Sequence, residues 1–313
     1  MKKAILFGTA ASFFFAAAFI FNRKMNLSGG SWIWSGVLRY AFMLVILSVI
    51  VTLKNEAGPV MKDILQKPVQ WIIWSTVGFG LFYASLCLSS VYGAAWLTAG
   101  TWQITIIAGA ILSPLFYKIV ESEGGTLKIR NRVPKKSLLM SSIILVGVFL
   151  IQYQQAVNVS LEQALKGVIW VILAAFAYPL GNRKMMEVCD GKFNSFQRVF
   201  GMTLCSMPFW FILSVFGIVQ VGLPGKGQIV QALIVAISSG VVATILFFKA
   251  TSLVRDDVHK LAIVESTQAG EVIFTLIGGM LLLNDSLPSF VGCVGMIFVI
   301  VGMILNSLIS ADT

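Results

Sequence analysis

The stretch Leu261 to Leu283, LAIVESTQAGEVIFTLIGGMLLL, decides how the rest of the chain is read. It is apolar and long enough to cross a bilayer, yet Glu271 stands next to its midpoint. A carboxylate at the centre of a membrane helix costs roughly 2.5–3.5 kcal/mol even on insertion scales, so it needs a compensating role. Residues three and four apart share a helical face. Gln268, Glu271 and Thr275 therefore form one polar stripe on an otherwise oily cylinder.

Composition places that helix among others of its kind. Hydrophobic residues make up 58% of the 313 and charged residues 12%, and mean hydropathy is +0.89. Such a chain is too apolar for a soluble domain and too long for a single anchor. Continuous apolar runs recur along its whole length, where barrel strands would alternate, so the spans are helices. The net charge of +10 does not point to nucleic acid, because the basic residues cluster between apolar runs. Cys87, Cys189, Cys205 and Cys293 lack any CxxC or metal-ligand spacing, and His259 is the single histidine. With so little material for a metal centre or a nucleophile–base pair, no catalytic residue, metal ligand or cofactor is expected.

Ten spans are predicted: Ala4 to Phe21, then roughly 31–53, 69–90, 93–118, 137–154, 161–181, 196–218, 229–250, 260–283 and 288–309. The first resembles a signal peptide but is longer than a usual signal core, and a related segment recurs in the second half. The longest hydrophilic stretch runs from Glu121 to Lys136. Charge sets the orientation. Of the 23 Lys and Arg, three (Arg39, Arg198, Lys249) lie inside spans and four (Arg23, Lys24, Lys166, Lys226) fall on one face. The other sixteen share the opposite face with both termini, which should therefore be cytoplasmic in a cell or inner membrane.

The chain also repeats itself. Asn22-Arg23-Lys24-Met25 recurs as Asn182-Arg183-Lys184-Met185, and Ala99-Gly100…Thr105…Gly109 matches Ala269-Gly270…Thr275…Gly279. Two matches in order, in a chain whose helix count halves, imply a duplicated five-helix unit. The expected units are 1–154, including the 119–136 cytoplasmic loop, and 155–313. Five is odd, so the halves lie in opposite orientations with a site where they meet. The repeat pairs Gln268, Glu271 and Thr275 with Thr98, Thr101 and Thr105. Trp102 and Gln103 lie alongside, and Tyr178 bends in at Pro179. An acid among hydroxyls and aromatic rings suits a cation and a proton.

Ten helices, the five-plus-five repeat and the stretches Leu246-Phe247-Phe248-Lys249-Ala250-Thr251 and Leu261 to Phe274 resemble the drug/metabolite transporter superfamily, in its branch of multidrug-resistance efflux transporters. The resemblance implies an all-α polytopic fold. Its cavity would be lined by helices one, three, four, six, eight and nine, working by alternating access. The four-helix small multidrug transporters of that superfamily carry a glutamate in their first helix, whereas Ala4 to Phe21 contains no acid. Glu271 is thus assigned by depth, not by family position.

The expected function is proton-coupled antiport exporting small organic solutes, lipophilic cations or metabolites, with Glu271 as the coupling site. Export or import of a neutral or zwitterionic metabolite, such as an amino acid or sugar, is the alternative. A lipid-binding or membrane-assembly role is the alternative from another class. No Gly-rich loop with Lys-Ser/Thr is present to bind ATP. Glu265 and Lys249 form a candidate cytoplasmic gate, and Arg39 reads as an anchor reaching the outer face. The partners are substrate, protons and membrane lipids, with a homodimer through helices five and ten as a further expectation. Gly292, Gly295 and Gly302 are read first as packing against helix five of the same chain.

Overall fold

Apolar segments that enter hydrocarbon must satisfy every backbone N–H and C=O internally, and a helix does this without outside partners. The computed structural model describes residues 1–122, 125–130, 133, 135–158, 161–254, 263–264 and 266–310, and it is built from helices. They are α1 (Lys2–Leu27), α2 (Trp32–Leu53), α3 (Ala57–Gln66), α4 (Pro68–Ser89), α5 (Ala95–Ile111), α6 (Lys135–Asn158), α7 (Leu161–Cys189), α8 (Ser195–Val221), α9 (Lys226–Thr251), α10 (Thr267–Leu283) and α11 (Phe290–Ser310). By length and composition α1, α2, α4, α7, α8 and α9 can cross a membrane, while α5, α6, α10 and α11 carry shorter apolar stretches. The molecule is a multi-pass membrane protein.

Helix ends follow local chemistry. Ser31 caps α2 by accepting from the Ile33 N–H at 3.2 Å, and Asn194 and Gln197 form a reciprocal capping box at the start of α8. Asn284 ends α10 in the left-handed conformation at φ 55°, a backbone that Asn tolerates better than most residues.

Packing brings together helices far apart in sequence. α1 lies against α9 and α10, α7 against α4 and α5, α2 against α8, and α6 against α11. Two of these crossings depend on glycine. Gly78 of α4 and Gly181 of α7 touch backbone to backbone, and a Cβ at Gly181 would overlap Gly78. Gly147 of α6 meets Gly295 of α11 in the same manner, and Gly302 abuts Ile144, so these α11 glycines pack within the chain. Both α4 and α9 contain a π-helical stretch, Thr76–Leu81 and Ala236–Val242.

The helices differ from their sequence expectations in three ways. The fourth helix is not continuous to residue 118: α5 breaks at Gln103, ends at Ile111, and passes into a 3₁₀ turn over Ser113–Leu115 where Pro114 cannot continue an α-helix. The ninth is interrupted by a 3₁₀ turn, Thr267–Ala269, between the helical residues Ile263, Val264 and Ser266 and the α-helix that begins at Gly270. Between α5 and α6, strands β1 (Tyr117–Ser122) and β2 (Gly125–Arg130) pair as an antiparallel hairpin, an addition to the all-helical body. The amphipathic α3 was also not expected. It buries Val60 and places Asp63 to accept from the Trp71 indole at 2.9 Å. Trp34, Trp71 and Trp96 are buried inside the protein.

Candidate functional site

Glu271 lies in the first α-helical turn of α10 and is only 8% exposed. Small residues let α10 come close to α1: Gly8 faces Thr267, Ser12 faces Gly270, and the Gln268 amide donates to the Gly8 carbonyl at 3.3 Å. That contact fixes the helix rotation. Gln268 is held against α1, while Glu271 turns toward α5, where the Gln103 side-chain amide engages its carboxylate. Gln103 sits at the break in α5 and also donates to the Ala99 carbonyl at 3.2 Å, so the interruption places a polar side chain opposite the acid. Thr275, one turn beyond Glu271, is fully buried and its hydroxyl has no hydrogen-bond partner among the described residues.

The other sequence-predicted residues divide into two groups. Trp102 and Tyr178 join the neighbourhood of Glu271. Their rings are 5.6 Å apart, and both pack on Phe82 of α4, at 5.2 and 4.8 Å. Tyr178 is 39% exposed. The hydroxyl stripe of α5 looks elsewhere. Thr101 donates to the Leu97 carbonyl at 2.8 Å and accepts from Gln152 of α6 at 2.6 Å, and Thr105 donates to the Ala175 carbonyl of α7 at 3.2 Å. Thr98 borders a small crevice of about 10 Å³ with Gln152 and Val171. Thr98, Thr101 and Thr105 thus knit α5 to α6 and α7, whereas Gln103 alone of the α5 polar residues reaches the acid.

Lys249 places its ammonium 4.9 Å from the Phe7 ring, and Glu265 lies outside the described residues. A larger cleft of about 540 Å³ opens among the α1–α2 turn, the end of α8 and the start of α9, lined by Trp32, Gln228 and Gln231 among others. It does not include Glu271.

Sequence reasoning missed a second buried charge. Arg39 of α2 does not reach the outer face as an anchor: it is only 9% exposed, with its guanidinium 3.9 Å from the centre of the Tyr83 ring. The Tyr83 hydroxyl is hydrogen-bonded to Asn22 of α1 at 3.1 Å, and Tyr40 stacks on Trp210 of α8 at 4.7 Å, which closes the wall behind the arginine. A signal was there to read. Arg39 is as foreign to its apolar helix as Glu271 is to its own.

The repeated Asn-Arg-Lys-Met segments bind carbonyls at helix ends. Arg23 donates to Ser90 and Val91 at 3.1 and 2.9 Å, and Arg183 donates to Gly109 at 2.6 Å. Asp285, in the turn after α10, faces Arg23. Burial raises its carboxyl above the ordinary value, while Arg23 and the Ala95 N–H pull it back down.

Comparison with known proteins gives a consistent family signal. Residues 2–312 match the family model EmrE, described as "Putative multidrug resistance efflux transporter". The chain is 51% identical over 308 residues to "Uncharacterized protein YjlA" of Bacillus subtilis (strain 168), covering 98% of this chain and 95% of that one. It is 47% identical over 294 residues to "Uncharacterized 42.1 kDa protein in intracellular alkaline protease 3'region" of Shouchella clausii, covering 94% and 76%. A solved crystal structure with 8% identity shares the fold at a TM-score of 0.60, over 97% of this chain and 99% of the other.

Proposed function

The chain belongs to the EmrE family of multidrug resistance efflux transporters, and from that premise we propose that it exports small organic solutes in exchange for protons. The observation that carries this proposal is Glu271: an acid buried in an apolar helix and engaged by Gln103 across the α5–α10 contact. An intramembrane carboxylate in that setting marks a substrate or proton pathway. Proton and substrate compete for it. Ionised Glu271 takes up the solute from the cytoplasm, and a proton arriving from outside displaces it.

The working architecture is ten spans in two inverted five-helix halves with both termini cytoplasmic. Three features of the helices support it. The pairing of α1 with α9 and α10 is mirrored by that of α7 with α4 and α5. The π-helical stretches fall in α4 and α9, the third and eighth spans of that scheme. The interruptions at Gln103 and at Thr267–Ala269 fall in the fourth and ninth. In addition, both Asn-Arg-Lys-Met segments bind backbone carbonyls through their arginine, as copies of one unit would. Alternating access then amounts to rocking of the two halves about a shared central site.

The test is transport in proteoliposomes carrying an imposed pH gradient, with lipophilic cations and amino acids offered as solutes. Wild type should couple solute movement to proton movement, and Glu271→Gln should abolish coupling while retaining the fold by circular dichroism. Solute flux that persists in Glu271→Gln at the wild-type rate and still follows the pH gradient would remove Glu271 from the mechanism.

A further inference from the structure

Proton exchange at Glu271 makes no use of the cleft among the α1–α2 turn, the end of α8 and the start of α9. Its volume of about 540 Å³ lies within the range of ligand pockets, roughly 300–1,000 Å³. The cleft is held open by contacts between segments far apart in sequence. Gln228 of α9 pairs with the backbone of Ser31, 197 positions away, donating to its carbonyl at 2.5 Å and accepting from its N–H at 3.4 Å. The Trp34 indole donates to the Gly222 carbonyl at the end of α8, at 2.9 Å. On the orientation proposed above, this end of the molecule faces outward.

The chemistry of its wall is specific. Among the described residues that line it there is no Asp, Glu, Lys or Arg, and Lys226 is not part of the wall although Gly225 and Gly227 are. A charged ligand would give up its hydration there with no countercharge to replace it. The wall offers neutral hydrogen bonding instead: the amides of Asn26, Gln220 and Gln231, the Ser28 hydroxyl, and the peptide groups of two glycine-rich turns. At Gly29, Gly225 and Gly227 an added Cβ would meet nothing within 4 Å, so the backbone there is uncovered. The Asn26 amide nitrogen is committed to the Asn22 carbonyl at 3.0 Å and the Ser90 hydroxyl at 2.7 Å, which leaves its oxygen to accept. Gln231 follows Gln228 by one turn, and its Oε1 is buried with no hydrogen-bond partner among the described residues. Such an acceptor costs about 1–3 kcal/mol, which a hydroxyl donor would recover. Trp32 is half-buried on the same wall, so part of its indole is open to the cleft.

We infer that this cleft binds a neutral polyhydroxylated ligand, a saccharide ring or a related polyol, at a site separate from Glu271. A hydroxyl both donates and accepts, and so does a carboxamide, so Gln220 and Gln231 can serve a ring of hydroxyls whichever way each is turned. The C–H face of a sugar ring is apolar and matches the flat indole of Trp32. A free saccharide and the headgroup of a glycolipid carry the same chemistry. The inference does not depend on the proton-exchange function.

The test measures binding to the purified full chain by thermal shift and tryptophan fluorescence, in lipid nanodiscs because maltoside detergents would themselves present a sugar. The neutral probes are glucose, maltose and myo-inositol, and a second set of nanodiscs contains a glycosyl diacylglycerol. Glucosamine, glucuronate and tetramethylammonium are the charged comparisons. At least one neutral probe or the glycolipid should stabilise wild type, and the charged compounds should bind at least about tenfold more weakly. Trp32→Ala and Gln231→Leu should each weaken binding about tenfold or more, while Glu271→Gln should bind as wild type does. Gln231→Leu removes an unpaired acceptor, so without ligand it should melt at or above wild type, which separates lost binding from lost fold. Saturable binding of a free saccharide assigns a soluble ligand, stabilisation by the glycolipid alone assigns a headgroup, and both uphold the inference. It is overturned by no response to any neutral probe or glycolipid, by unchanged binding in Trp32→Ala and Gln231→Leu, by tighter binding of a charged compound, or by loss of binding in Glu271→Gln.

Discussion

The two buried charges, Glu271 on α10 and Arg39 on α2, are held by different means. The carboxylate is met by a side-chain amide, Gln103, placed by a break in α5. The guanidinium is met by an aromatic face, Tyr83, itself held by Asn22. An amide can serve both the ionised and the protonated acid, as donor or acceptor, so the Glu271 contact tolerates a change of charge. A ring attracts only the cation, and the arginine does not change charge, so the Arg39 contact is fixed. On the proposed function, one region switches its charge and the other keeps it.

Substitutions can break that contrast, beginning with the largest effect. Glu271→Gln should reduce proton-coupled exchange at least about 100-fold, in line with the loss of a positioned proton-transfer group, with the far-ultraviolet spectrum unchanged. Arg39→Gln removes the cation held on the Tyr83 ring and should leave proton exchange through Glu271 measurable in the folded protein, read by the same proteoliposome assay. Gln103→Leu removes the partner of the ionised acid, worth about 1.5–3 kcal/mol, and should slow exchange by roughly ten- to a hundredfold. Tyr83→Phe keeps the ring over Arg39 but deletes the bond to Asn22. It should cost about 1 kcal/mol of stability in a thermal melt and leave binding near wild type.

A peripheral acid gives the smallest effect and a useful control. Asp285 has a raised carboxyl in the folded protein, so its contribution to stability is present at acid pH and is lost as pH rises through the folded value. Its Oδ2 is buried without a hydrogen-bond partner among the described residues. Asp285→Asn should therefore melt at or slightly above wild type at pH 7 and converge with it near pH 4. A variant clearly less stable at pH 7 would show that the Arg23 attraction outweighs burial.

What could be read from the sequence follows from how far single residues depart from their surroundings. Glu271 was legible because an acid in the middle of an apolar run is too costly to keep without a use. Its neighbour Gln103 was reached only through the repeat, which named a stretch of α5 without its helical phase. That phase depends on the close α1–α10 contact at Gly8 and Ser12 and on the break at Gln103, both properties of packing. Arg39 was visible by the same rule but was assigned to anchoring, because a long side chain two turns from a helix end can reach the interface. Only the Tyr83–Tyr40–Trp210 wall shows that it does not. The hairpin and α3 were not legible: both are short segments between the apolar spans, and α3 is fixed by contacts such as Asp63 to Trp71.

The contrast comes down to whether Glu271 carries the proton that solute binding displaces. The direct measurement is proton release in weakly buffered detergent solution, read with a pH-sensitive dye as a binding solute is added at about pH 7 to wild type and Glu271→Gln. Release from wild type that saturates with the solute and is absent in Glu271→Gln is the predicted result. Equal release from both proteins, or saturable binding to wild type with no release across pH 5 to 9, would contradict a switching carboxylate in the first turn of α10.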